Sequence, residues 1–116
     1  MNIPLLAGAV LLLFVAVAHS YLGERYILMR LFRRVSLPPF TSRTLRLAWH
    51  VTSVLGLGFA AILFMLASPA GMSARAAAQI VSVTCALCAL MAFAFSRGRH
   101  LSWIVFLAVA LLAWFG

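Results

Sequence analysis

Glu24 is the only acidic residue in a chain of 116, and it stands five positions after His19 in the stretch "AHSYLGERY". His50 and His100 complete the set of three histidines. These four side chains are of types that carry protons or ligate metals. Three chemistries could use them. A metal centre could take the three imidazoles and the carboxylate, a donor mix that suits zinc or iron. A b-type haem could be held by His19 and His50, with arginines on its propionates. A proton or quinone site could pair His50 with Glu24, because imidazole changes charge near physiological pH. No HExxH or paired-histidine spacing selects among them. No serine or cysteine nucleophile is paired with a base by its spacing, so no catalytic residue is assigned. An enzyme here would be metal-assisted.

The elements that must position these residues follow from composition. Two thirds of the chain is hydrophobic and 9% is charged, too little charge to cover a soluble domain of this size. The expected class is an all-α integral membrane protein, a single transmembrane domain over residues 1–116. Four apolar segments stand out, at about 3–22, 44–67, 74–95 and 101–115. Roughly 20 residues span the hydrocarbon as a helix, and a helix satisfies its own backbone where an isolated strand cannot. The spacing predicts a four-helix transmembrane bundle whose fourth helix is short.

Nine residues are basic and all nine are arginine. In a soluble protein this balance would suggest nucleic acid. Here the arginines flank apolar segments, which excludes a nucleic-acid role and points to anionic lipid headgroups. Arg25, Arg30, Arg33, Arg34, Arg43 and Arg46 follow the first segment or open the second, and Arg97 and Arg99 lie in the third loop. Only Arg75 lies in the second loop. This asymmetry predicts periplasmic termini and cytoplasmic first and third loops in a bacterial inner membrane. "AVA" at residues 16–18 resembles a signal-peptidase site. No basic residue precedes it and four arginines follow it closely, so the first segment is expected to be retained.

Residues 24–35 read as an amphipathic helix between the first two spans. Ile27, Leu28, Leu31, Phe32 and Val35 share one face; Arg25, Arg30, Arg33 and Arg34 share the other. The expectation is a helix lying in the cytoplasmic interface after a bend at Gly23, with straight continuation of the first helix as the alternative. "LPPF" at residues 37–40 should end it. Glu24 projects to the apolar side and needs a partner or a proton there; Arg43, Arg46, Arg97 and Arg99 are the candidate partners.

On this topology the three histidines and Glu24 fall in or at the cytoplasmic leaflet. At 1.5 Å per residue, His19 and His50 lie within about one helical turn of the same depth. Intramembrane ionisable residues commonly mark a site, so His19, Glu24 and His50 are expected to line one cavity, with His100 at its rim. An interhelical hydrogen bond is the plainer reading of the two deeper histidines. Cys85 and Cys88 form a C-x-x-C in the middle of an apolar helix, far from any exposed helix start, and are expected only to pack. Gly56 and Ala60 permit close helix approach.

"HSYLGER" at 19–25, "RLAWHVTS" at 46–53 and "SRGRHLSW" at 96–103 together resemble a group of small bacterial four-helix membrane proteins without an assigned activity. The resemblance implies a bacterial inner-membrane protein and transfers no substrate. The leading expectation is a binding or accessory protein whose site takes a metal ion, haem or quinone. A small proton-coupled transporter and a metal-dependent enzyme are the alternatives. The expected partner is the lipid bilayer with its anionic headgroups, and a homo-oligomer or a larger membrane complex is compatible with the sequence.

Overall fold

A computed structural model describes all 116 residues. The chain is entirely helical outside short connections. α1 spans Ile3–Arg34, α2 Pro39–Ala67, α3 Ala74–Ser96 and α4 Ser102–Phe115. The first three are long and apolar enough to cross a membrane. α4, with 14 residues, is shorter.

Local chemistry sets the helix ends. The Asn2 side chain accepts a hydrogen bond from the Leu5 N–H, and the Ser73 hydroxyl accepts one from the Ala76 N–H. Each satisfies a donor that an α-helix leaves unpaired in its first turn. Pro39 opens α2, where its missing N–H costs nothing. At the other end of α3, Arg97 and Gly98 take left-handed backbone angles, φ 53° and 77°, which turn the chain toward α4.

α1 does not bend at Gly23. It continues to Arg34 as one 32-residue helix, so the interfacial helix expected at 24–35 is instead the extension of α1. Gly23 keeps helical angles, φ −62° and ψ −49°. Of the apolar face of the extension, Leu28 is buried and Phe32 half-buried, while Ile27, Leu31 and Val35 are exposed. Gly23–Leu28 is wound as a π-helix, and the Met29 N–H donates to the Glu24 carbonyl five residues back.

The four expected helices are arranged as a row, not around a central axis. α1 packs on α2, α2 on α3 and α3 on α4. The molecule measures 52 × 32 × 11 Å, so the row is one helix thick. The reason lies in residues spaced two apart. On α2, a Cβ at Gly56 would lie 3.3 Å from the Ala16 Cβ of α1, whereas one at Gly58 would lie 2.6 Å from Thr84 Oγ1 of α3. Two residues turn a helix by about 200°, so the seams lie on opposite sides of α2. α3 repeats the device: Thr84 meets α2, and the Ser82 hydroxyl donates to the Ala110 carbonyl of α4 at 2.6 Å.

The row has two distinct ends. Asn2 N–H donates to the Ala67 carbonyl, and the Arg75 guanidinium donates to the Trp114 carbonyl. The chain termini and the α2–α3 turn therefore share one end. The Phe40 and His100 rings are 6.2 Å apart at the other. At 1.5 Å per residue α1 is about 48 Å long, well beyond a hydrocarbon core of about 30 Å.

Candidate functional site

The site grows from α1. Ser20 and Glu24 are four apart and share one face of the helix. Glu24 is also the second residue of the π-helix. That winding inserts a five-residue step, so the face carrying Ser20 and Glu24 continues through Met29, Arg30 and Arg33. An uninterrupted α-helix would continue it through Leu28 and Leu31. The π-helix thus resolves the conflict in the sequence between an acid on the apolar side and arginines on the other. π-Turns occur frequently at functional sites.

α2 supplies the facing residues. His50 Nε2 is 2.9 Å from Glu24 Oε2, and Arg46 Nη2 is 2.8 Å from Glu24 Oε1. The only carboxylate therefore holds an imidazole on one oxygen and a guanidinium on the other. The Arg46 guanidinium also lies 5.3 Å from the centre of the Phe32 ring, and its Nε is buried without a hydrogen-bond partner. On its other side, His50 Nδ1 is 2.9 Å from Ser20 Oγ. The Ser20 and Ser53 hydroxyls are hydrogen-bonded to each other at 2.7 Å. The result is one continuous chain: Arg46, Glu24, His50, Ser20, Ser53. Phe95 of α3 meets the His50 ring edge-on, 6.2 Å between centroids.

This chain forms part of the wall of an open groove of about 1110 Å³ on one face of the row. Arg25, Arg30 and Arg33 line one stretch of it, with Tyr21 and Tyr26 among them. Arg25 donates to the Tyr21 hydroxyl, and both Arg25 and Arg30 lie over the Tyr26 ring. Ala16, Val17, Val54, Leu57, Met91 and Phe95 line the rest. Since α1 and α2 run antiparallel, the lining changes steadily along the groove. It is cationic at Arg33, polar at Glu24 and His50, and apolar at Val17 and Leu57. From Arg33 to Ala16 this covers about 25 Å.

His19 and His100 lie outside the groove. The His19 ring stacks on Trp49 at 4.6 Å with an interplanar angle of 1°. Trp49 Nε1–H donates to the His19 carbonyl. Trp49 and His50 are adjacent on α2 and so point about 100° apart. One takes His19 and the other takes Glu24. Of the three residues expected to line one cavity, Glu24 and His50 do so and His19 does not. His100 Nδ1 is 2.7 Å from the Ser102 hydroxyl at the start of α4. No three histidine, cysteine or acidic side chains converge as a metal site requires. Cys85 and Cys88 are free thiols; Cys88 is fully buried, and Cys85 borders a small apolar cavity beside Gly58 and Thr84.

Of the arginines expected at headgroups, Arg34, Arg97 and Arg99 are exposed and Arg43 is half-buried, all outside the groove. Sequence reasoning missed Ser20, Ser53 and the Gly23–Trp49 contact. The i, i+4 spacing of Ser20 and Glu24, with Ser53 three after His50, is the signal that could have found the hydroxyls. A Cβ on Gly23 would lie 1.8 Å from Trp49 Nε1, so only glycine admits the indole. No family model, no curated protein and no solved structure matches the chain.

Proposed function

We propose that this chain is a multi-pass binding protein of the bacterial inner membrane that takes an anion-headed amphiphile into the groove, with the head at the cytoplasmic leaflet. The observation that carries the reading is the gradient along the groove. Arg25, Arg30 and Arg33 offer donors to an anion, and Glu24 leaves them free because Arg46 and His50 already occupy it. Val54, Leu57, Met91 and Phe95 offer a surface to an acyl chain. The three cations favour an anionic head over the neutral carbonyls of a quinone. The eight-to-one division of arginines between the two ends supports periplasmic termini.

Native mass spectrometry of the protein, extracted gently from mixed phosphatidylethanolamine and phosphatidylglycerol membranes, tests this. Wild-type protein should retain the anionic lipid. Each basic residue near an anionic surface contributes about 1 kcal/mol, so Arg30→Gln with Arg33→Gln should lower retention about tenfold or more. Arg97→Gln with Arg99→Gln should leave it nearly unchanged. Equal losses from both pairs would mean diffuse attraction to headgroups and no groove site.

A further inference from the structure

We infer that the groove binds its anionic ligand together with a proton, and that the proton resides on His50. This rests on the groove being the ligand site. Hydrogen-bond capacity is what points to His50. An ionised carboxylate only accepts, so His50 Nε2, facing Glu24 Oε2 at 2.9 Å, carries a hydrogen in either charge state. With neutral His50, Nδ1 is then an acceptor. Ser20 donates to it, and Ser53 donates to Ser20. With protonated His50, Nδ1–H donates to Ser20 and Ser20 donates to Ser53. With neutral His50 both hydroxyl hydrogens lie along the 2.9 Å and 2.7 Å contacts; with protonated His50 the Nδ1 and Ser20 hydrogens occupy them and the Ser53 hydrogen turns out of the chain. The imidazole therefore gains or loses its proton by two hydroxyl rotations, with no heavy atom moved. A hydroxyl that bonds back to a carbonyl of its own helix has no such freedom.

The packing fixes the charged and titratable groups around His50. From α1, it faces Glu24 and shares the groove with Arg25, Arg30, Arg33, Tyr21 and Tyr26. On α2, Arg46 holds the other oxygen of Glu24. From α3 come Phe95 and Met91, neither of which titrates. An anion entering the groove adds negative charge beside these groups and favours protonated His50. By linkage, the protein should then bind the anion more tightly as pH falls and take up a proton on binding near neutral pH. The groove becomes a proton-linked anion site, with Ser53, buried between the helices, at the inner end of the relay.

The test uses the full chain in nanodiscs of neutral phosphatidylcholine and decanesulfonate as probe, since a sulfonate keeps its charge across the pH range. Titration calorimetry in buffers of different ionisation heat counts protons, with empty discs subtracted. Wild-type protein should take up about one proton near pH 7.5, and its affinity should fall about tenfold per pH unit on the alkaline side. His50→Gln should still bind, without uptake and without pH dependence. Ser20→Ala, which keeps the histidine and removes the acceptor for Nδ1–H, should reduce uptake and covers the case in which the histidine variant fails to fold. Binding without proton uptake, or uptake that survives in His50→Gln, would overturn the proton linkage and leave the groove reading standing. No binding above empty discs would overturn both.

Discussion

The α1–α2 pair and the α3–α4 pair are built from similar apolar helices, yet they treat polar side chains in opposite ways. Along the α3 helix the hydroxyls bond to backbone, and the one hydroxyl of this pair that meets a side chain, Ser102 on His100, lies at the connection into α4. Ser82 donates to the Ala110 carbonyl and Ser96 to the Ala92 carbonyl, and Thr84, on the other side of α3, donates to Ile80. A carbonyl has no hydrogen to return, so each of these bonds has one direction and one state. Between α1 and α2 the polar groups bond to one another, and three of them, His50, Ser20 and Ser53, can both give and receive. The first pattern makes a fixed seam. The second makes a seam that can hold or release a proton while its helices stay packed. A polar side chain in a membrane helix thus signals a site less by its type than by the partner it finds.

The largest way to break this contrast is at Gly23. Gly23→Ala forces a Cβ to within 1.8 Å of Trp49 Nε1, and overpacking of this kind costs about 1–3 kcal/mol. The indole must leave its hydrogen bond with the His19 carbonyl, and Glu24 and His50 lose their register. Equilibrium unfolding in mixed detergent–dodecyl sulfate micelles should show a larger loss for Gly23→Ala than for Glu24→Ala or Ser82→Ala. Adding Trp49→Ala should recover part of it, because the clash is then gone.

Glu24→Ala should have a smaller effect. The carboxylate is about a third exposed and Arg46 more so, and exposed ion pairs contribute about 0–1 kcal/mol. The same unfolding assay should register a loss near that upper value, while the α3–α4 half keeps its helical signal. The smallest effect belongs to Ser82→Ala. It removes one interhelical hydrogen bond, worth about 0.6 kcal/mol in membrane proteins. It should change neither lipid retention nor any pH response. A pH response that disappears in Ser82→Ala would erase the distinction between the two halves.

Much of the helical framework was legible in the sequence, because hydrophobic length alone determines which segments can span. Arg46 stood among the four cations open to Glu24. The arrangement of the helices was not legible. A hydropathy run does not say that Gly56 and Gly58 serve seams on opposite sides of α2, and that fact makes the molecule a row. The π-helix was equally hidden. A wheel at 100° per residue sets Glu24 apart from Arg30 and Arg33, and only the added residue brings them onto one wall. Depth along the membrane put His19 and His50 at one level. Rotation about the helix axis sends them to different partners, His19 to the Trp49 ring and His50 to Glu24 in the groove.

On the proposed reading, this groove, and no other surface of the row, receives an anionic amphiphile. Photocrosslinking with a phosphatidylglycerol that carries a diazirine on its acyl chain tests it most directly. The predicted adducts concentrate at Val17, Val54, Leu57, Met91 and Phe95, and they diminish when Arg30 and Arg33 are replaced by glutamine. Adducts spread equally over the exposed apolar surface of α3 and α4, at residues such as Leu90, Val105 and Leu112, would contradict it.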